Sequence, residues 1–222
     1  RQLGLFTTTD RLRTGVTRED KADVDALGAY AEARTQWLPW LRSTAALRWD
    51  HLAADVTPTA GAFNMANGGE VSAHQVSPKF GLVLGPFSNA PHTELYANWG
   101  RGFHSNDVRG ATTRVNANDG SAVDPVPLIV RATGSELGIR TMPLPGWNSS
   151  LTLWQTKLAS ELIFIGDEGV TEPKGGSQRH GIEWSNYYAN NKGLILDGDV
   201  ALSHARLAEA SNGGKHVPNA IP

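Results

Sequence analysis

Apolar and polar residues alternate with a period of two along most of this chain, and helical spacing is hard to find in it. The stretch LGAYAEARTQW (27–37) would place Leu27 and Trp37 on one side of an extended strand and Glu32 and Arg34 on the other. Successive side chains of a strand point to opposite faces, whereas a helix repeats about every 3.6 residues. The alternation therefore predicts an all-β, antiparallel chain with one apolar and one charged face.

Nine segments carry the alternation, although the first is weak and the pattern within 147–164 is lost from Gln155, which suggests a bulge. The nine segments are 2–9, 27–37, 41–52, 79–84, 94–99, 135–140, 147–164, 179–188 and 193–204. Tight-turn residues lie at 38–40, 86–91, 143–146 and 190–192. Long polar stretches, predicted as loops, lie at 10–25, 53–77, 104–127 and 165–177. Short turns on one side and long loops on the other are typical of outer-membrane barrels.

A soluble β-sandwich would also alternate, because one face of each sheet meets a core and the other meets water. Three features favour a membrane barrel instead. The segments are about ten residues long, which suits a tilted crossing of a bilayer. Aromatic residues lie beside the short turns, where a membrane interface favours them, and the polar face carries many charges of both signs, as a wet or plugged lumen would. These aromatic residues are Trp37, Trp40, Trp147 and Tyr188.

Composition excludes several other classes. The net charge of -2 gives no electrostatic basis for binding nucleic acid, which requires clustered basic residues. The chain has no cysteine, so a disulfide framework, a thiolate metal site and a cysteine nucleophile are excluded. No stretch approaches the roughly 18 apolar residues of a transmembrane helix.

The ends suggest an internal piece of a larger protein. Arg1 is not preceded by a methionine or a signal segment, and HVPNAIP (216–222) reads as part of a loop. Nine strands is an odd number, whereas bacterial single-chain barrels are even and must close to satisfy their backbone in hydrocarbon. We therefore expect residues 1–222 to be a partial barrel domain that lacks its closing strands.

Several residue patterns could be taken for catalytic or metal sites, and a structural reading is favoured for each. Gly100, Gly102 and Gly110 lack the following helix that a phosphate loop needs, so a strand exit is expected there. Asp197 and Asp199 share a face as a lumen lining would. The histidines at 51, 104, 180 and 204 match no ligand spacing. No G-x-S-x-G motif occurs, so hydrolase chemistry has little support. With a structural reading favoured for each pattern, no enzyme activity, cofactor or metal site is predicted.

The stretch LYANWGRGFHSNDVRG (95–110) closely resembles a segment of TonB-dependent outer-membrane receptors, where a strand ending in a Gly-Arg-Gly-Phe run opens into an external loop. Further runs resemble the same family in kind and in order, so that the resemblance covers nearly the whole chain. These runs are 27–51, SPKFGLVLGP (77–86), SELGIRT (135–141), 150–173 and RHGIEWSNYY (179–188). The family's plug, TonB box and terminal aromatic strand are not recognisable in this sequence.

The resemblance implies a 22-stranded transmembrane barrel in the bacterial outer membrane that imports a scarce ligand, such as a siderophore or another metal chelate. Expected partners are that small molecule, the TonB complex through regions outside this sequence, and outer-membrane lipid. Ligand-facing candidates, which should point into the lumen by strand parity, are Arg48, Asp50, Glu94 and Asn98. The alternatives are a passive porin-like channel and a soluble secreted carbohydrate-binding β-sandwich.

Overall fold

The computed structural model of the chain describes residues 1–87, 92–165, 170–211 and 214–217, without the side chains of 162–165, 170–174 and 211. This part of the chain is almost entirely β-structure. Its strands are β1 (Gln2–Thr9), β2 (Leu12–Leu38), β3 (Leu41–Ala60), β4 (Gly69–Leu84), β5 (Glu94–Ser105), β6 (Ile129–Thr141), β7 (Trp147–Leu158), β8 (Glu161–Ile165), β9 (Val170–Lys174), β10 (Ser177–Ala189), β11 (Ile195–Ser211) and β12 (Gly214–His216).

Ten strands form one antiparallel sheet in the order β1-β2-β3-β4-β5-β6-β7-β10-β11-β12. Each strand lies beside the next along the chain, except that β8 and β9 form a separate hairpin between β7 and β10. Within the described residues the sheet does not close on itself, since β1 and β12 lie at its two ends. An all-β antiparallel meander confirms the fold class that the alternation predicted.

The strand count and the strand lengths both differ from the prediction of nine strands of about ten residues. The segment predicted over 147–164 divides into β7 and β8, while β9 and β12 were missed. β2 has 27 residues and β3 has 20, so both extend well beyond the length that crosses a bilayer. The loops predicted at 10–25 and 53–77 are therefore wrong, since both stretches are mostly strand.

The other two predicted loops have different outcomes. Residues 106–128, here called the cap, connect β5 to β6, which confirms most of the loop predicted at 104–127. The strand exit expected at Gly100 and Gly102 comes later, because β5 continues to Ser105, and Gly110 lies in a short helix, α1 (Val108–Thr112). Of the loop predicted at 165–177, residues 166–169 lie outside the described residues and Val170–Lys174 form β9. A 3-10 turn (Asn64–Ala66) connects β3 to β4. None of the described helices has the length and apolarity to cross a membrane.

Candidate functional site: the charged face of the sheet

The two faces of the sheet differ in chemistry from β2 to β11. Leu47 lies beside Pro78, and Leu137, Leu153, Ile182 and Leu202 follow one another across β6, β7, β10 and β11. These residues belong to the apolar face, and Leu153 and Leu202 are more than half exposed there. Arg48, Glu94, Thr152 and Asp199 lie on the opposite, charged face by the same register. An exposed apolar face of this extent is the surface that a bilayer covers.

Aromatic residues border the apolar face at the short-turn end, as the sequence predicted. The indole N–H of Trp37 donates to Ser43 at 2.8 Å, and that of Trp184 donates to Ser149 at 3.2 Å. Ser149 in turn donates to the side-chain oxygen of Asn186 at 2.8 Å. Indoles with satisfied N–H groups and exposed rings suit the interface between hydrocarbon and water.

The apolar side of the alternation changes face along β3. The end of the sheet at the short turns is here called its lower end. Below His51 the apolar residues Leu47 and Trp49 have odd numbers. Above His51 the buried Ala54 and Val56 have even numbers and lie on the charged face. The register between β3 and β4 is continuous through this region, so no bulge causes the change. The environment causes it, because the upper charged face is covered by the cap while the upper part of the other face carries exposed carboxylates such as Asp55.

The cap packs onto β2, β3 and β4 through α1 and through its own apolar residues. Val126 and Leu128 of the cap are buried, as are Ala54 and Val56 of β3. The base of the cap is closed by Asn106, whose side-chain amide donates to the carbonyl of Pro127 at 2.6 Å. The upper charged face therefore has a small core of its own.

A buried polar network fastens the cap to the strands. Asn64 donates to Asp20 Oδ1 at 2.8 Å, and Asn67 donates to the carbonyl of Val115 at 2.9 Å. Asn67 also accepts from the backbone N–H of Val115 at 2.9 Å. Asp20, Asn64 and Asn67 are fully buried, and Arg18 completes the network through Asp20 and the cap residue Thr113. Buried polar groups that are all hydrogen-bonded fix one conformation.

Asp107 begins α1 and lies outside the strands. Its carboxylate accepts from the backbone N–H of Arg109 at 3.0 Å and from the guanidinium of the same residue. Partial burial favours the neutral form of Asp107, but the hydrogen bonds and charge of Arg109 together outweigh it and lower the pKa of this carboxyl. The cap is thus held at both its buried network and its helix start.

The lower charged face, near the short turns, has no such cover in the described residues. Glu94 lies between two arginines, with Arg42 Nη2 at 2.7 Å from one carboxylate oxygen and Arg140 Nε at 2.5 Å from the other. Glu94 and Arg140 border a cavity of about 540 Å³, whose wall continues through Ser185, Asp197 and Asp199. Ion-paired groups at an open cavity keep their charge while they remain accessible to a partner.

A second cavity of about 470 Å³ lies beside the first, and its floor is bare backbone. Gly100 pairs directly with Gly134, and at Gly134 a side chain would meet no atom closer than 3.9 Å. Asn98 borders this floor and donates to Glu136 at 2.7 Å. The indole N–H of Trp154, also on the wall, is buried without a partner. Glycine at such positions marks a close approach by another molecule or segment.

The four ligand-facing candidates fall into two separate groups. Arg48 and Asp50 form an ion pair at 2.6 Å within β3, two residues apart on one face, and their side chains lie over Gly28 of β2. Glu94 and Asn98 belong to the lower cavities. The register places Arg48 eight residues from the level of Glu94, which is roughly 26 Å along the strands. The structure therefore does not bring the four residues into one site.

The sequence reasoning missed the strongest polar cluster of the charged face. Asp20, Asn64 and Asn67 lie in stretches that were predicted to be loops. Only Gly61 and Gly68, on either side of Asn64 and Asn67, indicate a tight connection there. Parity placed the arginine partners of Glu94 on the same face as Glu94. It did not show which strands lie side by side, so the ion pairs themselves were not predicted. Within the described residues there is no group of three or more histidine or acidic side chains that could hold a metal ion.

The protein-family model for the TonB-dependent receptor-like β-barrel matches residues 2–222 of this chain. A comparison with curated protein sequences found no match. Among solved structures, the alcaligin outer-membrane receptor FauA from Bordetella pertussis aligns with a TM-score of 0.62 at 15% identity, covering 90% of this chain and 32% of the receptor. The ferric-catecholate import receptor Fiu from Escherichia coli K12 gives a TM-score of 0.64 at 15% identity, with 93% and 32% covered.

A third solved receptor, the ferric yersiniabactin uptake receptor FyuA from Yersinia pestis, aligns with a TM-score of 0.63 at 12% identity, covering 91% of this chain and 30% of that one. Identities this low show the fold only. The fold, the apolar face and the family match together define a wall segment of an outer-membrane barrel. The chain belongs to the TonB-dependent receptor β-barrel family, a family of bacterial outer-membrane transport receptors, and it spans about a third of the length of these solved receptors.

Proposed function

We propose that this chain forms part of the wall of an active importer that uses energy from the TonB complex to take up a scarce small molecule. Membership of the receptor family supports the proposal. Its fold neighbours include receptors for alcaligin, ferric catecholates and ferric yersiniabactin, which makes a siderophore or another metal chelate the ligand class to test first. By this account residues 1–222 are part of a barrel domain, and the protein is a transporter rather than an enzyme.

The observation that carries the proposal is the division of the charged face. Its upper part is covered by the cap, whereas its lower part offers charged groups and bare backbone at two adjoining cavities. A passage for a polar ligand needs such a wall, because a ligand that leaves water must find replacement hydrogen bonds. Glu94 and Asn98 would meet the ligand along this passage. Arg48 and Asp50 would meet it nearer the external mouth.

The proposed partners are the small-molecule ligand, the TonB complex and outer-membrane lipid, and no nucleic acid. Contact with the TonB complex would be made by regions outside this sequence. The exposed apolar face supports the proposed lipid contact, because such a face needs a hydrocarbon environment.

The test is uptake of radiolabelled iron presented as a panel of siderophores, by cells that express the complete coding sequence, with and without a functional TonB. Saturable uptake of at least one chelate that requires TonB is expected. Entry that is proportional to concentration and independent of TonB would overturn active import and favour the passive porin-like channel. The soluble β-sandwich is set aside, because the described residues form one ten-stranded sheet of an outer-membrane family.

A further inference from the structure

Three neighbouring strands carry a compact group of polar residues directly above the apolar face. Across β7, β10 and β11, Lys157 pairs with Gln178 and Gln178 pairs with Arg206. One step toward the short turns, Gln155 pairs with His180 and His180 with His204. These six residues, here called the basic patch, all share the face of Leu153 and Leu202. Every one of them can donate a hydrogen bond, and none is acidic.

The level of the basic patch matches the outer boundary of a bilayer. Lys157 lies ten residues from the start of β7 at Trp147, and His180 lies nine residues from the end of β10 at Ala189. About ten residues of a strand tilted by roughly 45° span an apolar band about 25 Å tall. The short turns and their tryptophans mark one boundary of that band, so the basic patch marks the other.

The charges of the basic patch are not neutralised by carboxylates. Arg206 donates from Nε to the imidazole Nε2 of His204 at 2.6 Å, and His204 contacts the ring of His180 with centroids 5.6 Å apart. Within the described part of the chain, no ion pair involves Lys157 or Arg206. Both side chains are exposed. Their charge is therefore available to a partner of opposite sign.

Apolar side chains continue directly below the basic patch. The next row toward the short turns is Leu153, Ile182 and Leu202, and the row after it includes Trp184 and Val200. Lys157 and Arg206 are two strand spacings apart, roughly 10 Å, which is wide enough to hold a phosphate group between them. An anion held there would have its acyl chains along the apolar rows.

We propose that the basic patch binds the phosphate group of an anionic membrane lipid, with the acyl chains of that lipid on the apolar rows of β7, β10 and β11. The site lies on the lipid-facing side of the wall, opposite the proposed ligand passage, and does not depend on the imported ligand. Arg131 lies at a similar level on β6, but it donates to Gln75 and is not part of the site. The lipid, rather than free phosphate, is the occupant because the anion site continues into an apolar surface.

The experiment uses the protein expressed from its complete coding sequence and reconstituted in phosphatidylcholine bilayers. Electron spin resonance measures the association of spin-labelled phosphatidylglycerol relative to spin-labelled phosphatidylcholine. The wild type should prefer phosphatidylglycerol, and the double variant Lys157→Gln/Arg206→Gln should lower that preference about fivefold, since each basic residue near an anionic surface contributes appreciably. Lys157→Arg/Arg206→Lys keeps both charges and should retain the preference.

A matched control removes two positive charges from positions outside the basic patch. Lys79 lies on the charged face and Lys192 in a short turn, so Lys79→Gln/Lys192→Gln should leave lipid preference unchanged. Equal loss in this control, or no loss in the basic-patch variant, would overturn the proposal. Addition of inorganic phosphate at matched ionic strength should not displace the labelled lipid, and displacement would show a site for free anions instead. Siderophore uptake by the basic-patch variant is measured separately, because the lipid site and the proposed import can fail independently.

Discussion

The upper and lower parts of the charged face treat their polar groups in opposite ways. Under the cap, Asp20, Asn64 and Asn67 are fully buried and bonded to one another and to the cap backbone. Near the short turns, Glu94 and Arg140 border an open cavity, and the N–H of Trp154 lacks a partner. Polar residues on one face of one sheet therefore serve two purposes. The upper set holds the chain to itself, and the lower set is left available.

The largest effect is expected when the centre of the upper network is removed. Asp20→Ala leaves the guanidinium of Arg18 and the amide of Asn64 without their shared acceptor in a buried place. Loss of one partner from a buried ion pair costs about 3 kcal/mol or more. Hydrogen exchange of the cap amides, such as that of Val115, should accelerate by roughly a hundredfold.

The control for this variant lies in the exposed ion pairs of the same strand. Asp23→Ala removes the carboxylate that pairs with Lys21 at 3.1 Å on the surface. Because exposed pairs contribute little, exchange in the cap should stay as in the wild type. Equal exchange rates in the Asp20→Ala variant and the wild type would show that the network does not hold the cap.

Filling the floor of the lower wall tests whether that floor is used. Gly134→Leu places a side chain in open space on the charged face and should leave folding intact, because glycine in a strand is already unfavourable. We expect uptake to fall about tenfold, equivalent to about 1.4 kcal/mol. The adjacent Ser135→Leu faces the apolar side and should transport normally. Normal uptake by the Gly134→Leu variant would remove this floor from the passage.

A smaller effect is expected from the ion pairs of the lower wall. Glu94→Gln weakens its contacts with Arg42 and Arg140, both of which are partly exposed. Solvent screening limits the loss of stability to about 1 kcal/mol or less. Thermal unfolding of the complete protein should therefore shift only slightly, while uptake of the chelate changes. A large drop in the unfolding temperature would show that Glu94 belongs to the structural set, as Asp20 does.

The smallest effect is the pH response of the cap. Because the folded pKa of Asp107 is lowered, its contribution to stability is present above the ordinary aspartate pKa of about 3.9 and is lost as pH falls through the lower folded value. A fluorophore at Asp124→Cys should report an unchanged cap between pH 5 and 8 and loosening below about pH 4. Asp107→Asn keeps a helix cap without a titrating group, so this variant should not show the Asp107 component. An identical response in both proteins would exclude Asp107 as its source.

The strands that cross the bilayer were predictable because one face of each strand meets hydrocarbon, so apolar and polar residues must alternate along it. Leu47, Trp49, Leu153 and Leu202 alternate with polar neighbours, and parity alone placed Arg48 and Asp50 on one face. Above His51 the same rule fails, because the buried apolar residues Ala54 and Val56 lie on the charged face, although β3 continues without interruption. The sequence therefore suggested a loop where the environment, not the secondary structure, had changed.

The candidate site was predictable only to the level of a face. Parity placed Glu94 and Asn98 on the charged side, but their partners Arg140 and Glu136 depend on the register between β5 and β6. Parity likewise placed Arg48 and Asp50 on this face, but it did not show that they form an ion pair with each other within β3. The cap network joins residues that are more than forty positions apart, such as Asn64 and Asp20, and no local pattern specifies such a contact.

The assignment of the two faces supports every other conclusion, and adjacent residues of β7 test it most directly. The chain has no cysteine, so a nitroxide can be attached singly through Leu153→Cys or Thr152→Cys in the complete protein, reconstituted in lipid. Electron spin resonance with oxygen, which concentrates in hydrocarbon, and a water-soluble nickel complex then reports the surroundings of each label. We predict that oxygen dominates at position 153 and the nickel complex at position 152. The reverse result, or the same result at both positions, would contradict the account.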